Sequence, residues 1–306
     1  MKKVFIDGYA GTTGLKIYER LSVRKDIQLL TLTEETRKDI NARRDALNSA
    51  DIAFLCLPDD AAKESVSLID NPNTAIIDTS TAHRVNPEWV YGLPELRGQR
   101  EKIAASKRAA NPGCHATGFI VLVAPLVQAG IISSDEVLSC FSLTGYSGGG
   151  KKMIAQYEAE GRDTLLDAPR QYGLTQTHKH IPEMAKLCGL AHAPVFCPVV
   201  ADYFAGMEVT VTIHDVSVKT LKECYREYYT SGVVKFTEGD TFSEGGFISA
   251  GAFAGRDDLE ICVYGNDERA LLVSRFDNLG KGASGAAIQN MNILLGVDET
   301  TGLNVR

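Results

Sequence analysis

The chain has 306 residues, 44% hydrophobic and 23% charged, with a formal net charge of −7. That length suits two domains or one large α/β domain, and the composition supports a sizeable core and excludes extensive disorder. The acidic balance argues against a general nucleic-acid binder, which needs a basic surface, and no apolar run approaches the roughly 18 residues of a bilayer span; neither nucleic acid nor membrane is expected as a partner.

The N-terminal MKKVFIDGYAG has only VFID between its lysines and first glycine, too short for a signal-peptide core. The seven cysteines (Cys56, Cys114, Cys140, Cys188, Cys197, Cys224 and Cys262) are odd in number and scattered, mostly in apolar or mixed segments. They read as reduced thiols of a cytoplasmic protein, and without a CxxC pair a structural zinc site is not expected.

In chain order, KVFID reads as a strand, GYAGTTG as a turn and LKIYERLSVR as a helix. IQLLTL, IAFLCLP and AIIDTS follow as strands, with AAKESVSLI a helix before the last. Unbroken apolar strands alternating with helices imply a parallel, doubly wound sheet covered on both faces. After Cys114 the pattern changes. FIVLVAPLVQAG is a helix ended by Gly130, then VLSCFSLTGYS, MEVTVTIHD, FISAGAF and LEICVYGN are strand candidates with longer connections. These predict a second α+β domain with a mixed or antiparallel sheet. The tail GKGASGAAIQNMNILLG is helical again. The domains are therefore expected at 1–113 plus 282–306 and at 114–281.

Three stretches carry chemistry. GYAGTTG places Gly8, Gly11 and Gly14 between strand and helix, with Thr12 and Thr13 opening the helix. Small residues there allow a pyrophosphate to approach a helix N-terminus, although GxxGxxG departs from the usual GxGxxG spacing. Glu34 and Glu35 stand about 20 positions on, where an acid holds an unphosphorylated ribose, while Arg37 and Lys38 next to them suit a 2′-phosphate. The spacing leaves NAD and NADP open.

NPGCHATG places Cys114 after a Pro-Gly break and at the start of the apolar helix. The helix dipole there favours a thiolate, the form that attacks carbonyls; a small packed residue is the plain alternative. HKHIPE supplies His178 and His180, which in an extended segment point to one side, as general acid/base candidates. Without a third ligand at suitable spacing, no metal is expected. TGYSGGGKK, with Ser147, Gly148 and two lysines, suits a phosphate or an oxyanion.

GYAGTTG, NPGCHATG, YSGGGKK, HKHIPE and SGAAIQN occur in this order across nearly the whole chain, which resembles the N-acetyl-γ-glutamyl-phosphate reductase family in its shorter form. One departure is His115, where the family mostly carries an aromatic residue. The resemblance implies a Rossmann-like domain followed by a catalytic and dimerisation domain, as in aspartate-semialdehyde and glyceraldehyde-3-phosphate dehydrogenases, and a homodimer or homotetramer. It implies NADPH-dependent reduction of N-acetylglutamyl 5-phosphate in arginine biosynthesis, through a thioester on Cys114 with His180 as acid/base. His178 would bind substrate or hold geometry, and Ser147 and Gly148 would contact the phosphate. Gly282, Ala283, Ser284 and Gly285 would let backbone approach the cofactor. Arg84, after DTSTAH, suits the substrate carboxylate because arginine grips carboxylates bidentately. The alternatives are a sibling reductase of the aspartate-semialdehyde type and a cofactor-independent cysteine hydrolase.

Overall fold

The structure, a computed structural model, describes residues 1–230, 232–239 and 245–306. The chain divides into two compact units: Met1–Pro94, Gly98–Pro112 and Ala283–Leu303 form the first, and Glu95–Arg97, Gly113–Gly282 and Asn304–Arg306 the second.

The first unit runs β1 (Lys2–Asp7), α1 (Thr12–Leu21), β2 (Ile27–Leu30), α2 (Ile40–Ser49), β3 (Ile52–Leu55), α3 (Asp59–Ser67), β4 (Ala75–Asp78), β5 (Val90–Tyr91), α4 (Gln99–Ala105) and β6 (Arg108–Ala110). The strands pair in the order β2-β1-β3-β4-β6-β5, all parallel. Alternate residues enter separate cores: Val4, Ile6, Phe54 and Ile77 on one face, Phe5, Ala53, Leu55 and Ile76 on the other. Burial on both faces explains why these strands read as unbroken apolar runs. Strand order reverses about β1, so the β1–α1 turn lies at a topological switch point, the usual ligand crevice of such sheets.

The second unit contains α5 (Cys114–Gln128), β7 (Ser139–Gly145), α6 (Gly150–Tyr157), β8 (Arg170–Gln171), α7 (Ile181–Cys188), β9 (Val195–Ala201), β10 (Met207–His214), α8 (Val218–Tyr228), β11 (Val234–Phe236), β12 (Leu259–Gly265) and β13 (Arg269–Phe276). Its sheet has the order β11-β12-β13-β10-β7-β9-β8 and is mixed: β11–β12 and β7–β9 are parallel, the other neighbours antiparallel. The last helix, α9 (Gly285–Leu295), belongs to the first unit, where Ala287, Ile288 and Met291 join the core of β1 and β3.

Helix α5 forms despite many β-branched residues because it is apolar all round and buried from His115 to Leu126. Gly118 lets it approach the sheet, since a Cβ there would lie 2.4 Å from Val209 Cγ2. Pro125 cannot donate to the carbonyl of Val121. The Tyr229 hydroxyl donates to that oxygen instead, at 2.7 Å.

Two sequence expectations need correction. FISAGAF is not a strand: residues 247–249 are irregular and 250–253 form turns, with Phe253 buried under the Arg256 guanidinium. An interior strand of the second unit's sheet comes instead from RALLVSRF, β13, which pairs along its length with β10 and β12. The HKH segment is a turn rather than extended, with His180 in helical backbone as the N-cap of α7.

Candidate active site

In the first unit, Gly8 has φ +85° and a Cβ there would lie 2.4 Å from the Cys56 carbonyl oxygen. At Gly14 a Cβ would lie 2.5 Å from the Gly8 carbonyl oxygen. Both contacts are with backbone, so these positions exclude side chains. Gly11 is the N-cap of α1, in extended backbone and with no side chain to bond the first-turn amides of Thr12, Thr13 and Gly14. Amides so presented, at the positive end of a helix, favour a phosphate.

Beside this corner is a cavity of about 270 Å³, lined among others by Gly8, Tyr9, Leu32, Arg37, Lys38 and Arg43. Arg43 is committed to Asp7, at 3.1 Å, and to Glu64, at 2.8 Å. Both Glu34 oxygens are also engaged: Tyr9 Oη donates to one at 2.9 Å and Arg37 Nε to the other at 2.6 Å. These hydrogen bonds hold the Glu34 carboxyl below its ordinary range, the Tyr9 bond foremost. Ser284 and Gly285 open α9, where Ser284 makes no side-chain cap. Asn111 Nδ2 holds this start by donating to the Ala283 carbonyl at 3.1 Å. These groups fit a dinucleotide: a glycine cradle, uncapped helix starts and a cation-lined cavity.

In the second unit, Cys114 is the first residue of α5, behind an extended Gly113 N-cap that has no side-chain partner for the helix amides. Cys114 is partly exposed, whereas Cys140 and Cys188 are buried and their thiols are pushed up by burial. In the first unit, burial likewise pushes the Cys56 thiol up to about 12. Buried thiols of this kind are poor nucleophiles. The Cys114 sulfur and one nitrogen each of His115 and His180 lie within 4.8 Å of one another. The His178 and His180 rings are 4.8 Å apart, nearly perpendicular, and His178 Nδ1 accepts the His180 N–H at 3.3 Å. The structure thus brings together Cys114, His178 and His180.

His115 has a different place. It is buried, with Nδ1 2.6 Å from Ser142 Oγ and Nε2 2.7 Å from Tyr172 Oη. Burial, reinforced by His178, lowers its pKa to about 3, so it stays neutral. With both nitrogens engaged, His115 could join Cys114 and His180 around a metal only by surrendering a hydrogen bond. Burial also pushes the Tyr172 hydroxyl up, and it remains a phenol.

Ser147 is buried and accepts a hydrogen bond from Asn278 Nδ2 at 2.9 Å; Gly148 beside it is exposed. Asn278 lies in the turn that leads into a π-helical segment, Gly280–Ser284, in which the Gly282 amide donates to the Asp277 carbonyl at 2.9 Å. A Cβ on Gly282 would lie 2.9 Å from Cys114 Cβ. Gly282 is therefore packed against the thiol residue, in the second unit, whereas Ala283, Ser284 and Gly285 belong to the first. Arg84 lies in the first unit, nearly buried, and donates to the Thr79 carbonyl at 3.0 Å. Sequence reading did not assign roles to Glu183, Tyr172, Ser142 or Asn278. Of these only Glu183 left a local trace, as the acid after His-Ile-Pro in a first helical turn.

Residues 3–106 match the family model described as semialdehyde dehydrogenase, NAD binding domain, and residues 114–278 match semialdehyde dehydrogenase, dimerisation domain. The chain is 44% identical over 318 residues to N-acetyl-gamma-glutamyl-phosphate reductase 2 of Nostoc sp., covering 98% of this chain and 99% of that protein. It is 44% identical over 309 residues to the protein of the same name from Pseudomonas putida, covering 98% of each. Among solved structures, aspartate semialdehyde dehydrogenase II from Vibrio cholerae matches with a TM-score of 0.72 at 16% identity, over 97% of this chain and 99% of that one. The aspartate semialdehyde dehydrogenase of Francisella tularensis gives 0.71 at 15% identity, over 96% and 100%. At such identities these two likenesses show the fold alone: a Rossmann-like parallel unit and a mixed-sheet unit. Among the described residues no helix is long and apolar enough to cross a membrane.

Proposed function

The chain belongs to the semialdehyde dehydrogenase family, in its N-acetyl-gamma-glutamyl-phosphate reductase branch, and on that premise we propose that it reduces N-acetylglutamyl 5-phosphate to N-acetylglutamate 5-semialdehyde, releasing phosphate, as a step of arginine biosynthesis. The observation that carries the chemistry is the partly exposed Cys114 at an uncapped helix start, its sulfur within 4.8 Å of a His180 nitrogen.

In this reading the Cys114 thiolate attacks the acyl carbon, the carbon–oxygen bond to phosphate breaks, and phosphate leaves with the electron pair. A thioester remains, which accepts hydride far better than a carboxylate would. The nicotinamide, when bound, supplies that hydride. His180 donates a proton to the oxygen of the resulting tetrahedral adduct. It takes the proton back as the carbon–sulfur bond breaks and the thiolate is restored. His178, nearly perpendicular to His180 and bonded to its amide, binds substrate or holds that geometry. Ser147 and the exposed Gly148 receive the phosphate, and Arg84 is assigned to the substrate carboxylate on the chemistry of its guanidinium.

We assign the cofactor as NADPH. Arg37 and Lys38 line the cavity beside the glycine corner, and both oxygens of Glu34 are already engaged. Gly8, Gly11, Gly14 and the amides of Thr12 and Thr13 would take the pyrophosphate, with Ser284 and Gly285 at the start of α9 as further contacts. A homodimer or homotetramer is supported by apolar residues on the open face of the second sheet, among them Phe141, Val195 and Leu271, each more than 40% exposed. The scattered free cysteines suit the reducing cytoplasm.

The test is phosphate-dependent reduction of NADP⁺ with N-acetylglutamate 5-semialdehyde, run beside aspartate semialdehyde. The reading expects the acetylated substrate to be preferred and NADP⁺ to be preferred over NAD⁺. Preference for aspartate semialdehyde would reject the substrate, and turnover without any nicotinamide would reject the reaction class.

A further inference from the structure

The residue before the nucleophile has an amide that its own helix cannot satisfy. Gly113 is buried and is the N-cap of α5, so its N–H lies outside the helical ladder. An unsatisfied buried amide costs about 1–3 kcal/mol. Its partner is distant in sequence: Glu183 Oε2 accepts this N–H at 3.0 Å, across 70 residues. Glu183 is 1% exposed and sits in the first turn of α7, just after Pro182 and three residues from His180, the N-cap of that helix. An acidic side chain in a first turn complements the helix dipole, and here it also meets the start of a second helix.

We propose that Glu183 is a positioning residue that straps the Cys114 turn to the helix carrying His180, and so fixes the reach between nucleophile and acid/base. The inference rests on the reading of Cys114 and His180 given above. The strap acts through distance. Cys114 is one residue from the hydrogen-bonded amide, and His180 is one helical turn from the carboxylate that accepts it. A displacement of about 1 Å at a reacting group can cost about 10²-fold in rate. The essential property is an acceptor oxygen at the end of a side chain of glutamate length; negative charge by itself does not supply it.

Two substitutions in the full-length protein separate reach from charge. Glu183→Gln keeps the length and an acceptor oxygen and loses the charge, whereas Glu183→Asp keeps the charge and withdraws the oxygen by one methylene. The strap predicts that Glu183→Gln retains kcat within about threefold. Glu183→Asp should lose about tenfold or more in kcat at unchanged KM, and its Cys114 should be alkylated by iodoacetamide at an altered rate. Equal kcat in wild type and Glu183→Asp, or equal losses in both variants, would overturn it. Cys114→Ser run in parallel distinguishes the premise: full activity there removes the reading beneath the strap, while an inactive Cys114→Ser beside an unaffected Glu183→Asp removes the strap alone. Should thermal melting show either variant unfolded, hydrogen exchange of the Gly113 amide in wild type decides. Slow exchange supports the bond, and exchange at the rate of a free peptide overturns it.

Discussion

Helices α1 and α5 both start from a glycine N-cap, Gly11 and Gly113, in extended backbone with no side chain bonded to the first-turn amides. Around α1 the neighbours are glycines, a β-turn and a cavity lined by Arg37 and Lys38. Around α5 they are a buried carboxylate, three imidazoles and a phenol. The shared device is a concentration of positive potential that favours an anion. What surrounds it decides which anion: an open, side-chain-free cradle suits a phosphate from outside, and a crowded polar cluster suits a thiolate supplied by the chain itself.

If that contrast holds, damage at the two starts should separate. The largest effect belongs to Cys114→Ser, which should lower kcat by about 10³-fold or more while leaving the melting shift caused by NADPH intact. Loss of cofactor binding in that variant would break the separation. Gly14→Ala does the reverse. Its new Cβ meets backbone at 2.5 Å, an overpacking cost of about 1–3 kcal/mol. Binding of NADPH, measured by fluorescence energy transfer, should weaken by about 10- to 100-fold at that cost. Alkylation of Cys114 should proceed at the wild-type rate.

His115 sharpens the comparison through pH. Its folded pKa, about 3, lies below the ordinary value of 6.5. Unfolded chains therefore bind a proton that the folded protein refuses, and stability is full above 6.5 and is lost as pH falls toward 3. The slope in that window is at most about 1.4 kcal/mol per pH unit from this group. His115→Phe keeps a ring and removes the titration, so urea midpoints should depend less on pH between 7 and 4 than in wild type, at the cost of two hydrogen bonds. An unchanged slope would show that His115 is protonated in the fold. The smallest effect is expected of Arg37→Ala, which should raise KM for NADPH by about tenfold and leave KM for NADH nearly unchanged. Equal changes for both cofactors would detach Arg37 from the 2′-phosphate.

The first unit was readable because burial on both sheet faces writes a continuous apolar run, as in IAFL and AIID, and because a glycine corner punctuates the first strand. The second was less so. β13 and β9 were not anticipated, and FISAGAF, expected as a strand, is irregular and turned instead. Whether such a segment pairs depends on partners far along the chain. The active cluster shows the same limit. Cys114 and the HKH pair announce themselves locally, but the hydrogen bonds that set them, Gly113 to Glu183 and His115 to Ser142 and Tyr172, span 70, 27 and 57 residues. His115 and Gly282 acquire their places only through those contacts and through packing against the thiol residue.

The most direct measurement is intact-protein mass spectrometry of the enzyme incubated with N-acetylglutamate 5-semialdehyde and NADP⁺ in the absence of phosphate. Without phosphate to release it, the acyl group should remain as one N-acetylglutamyl thioester per chain, mapped to Cys114 and removed by hydroxylamine. Turnover on adding phosphate with no adduct beforehand, or an adduct on any other cysteine, would contradict the account.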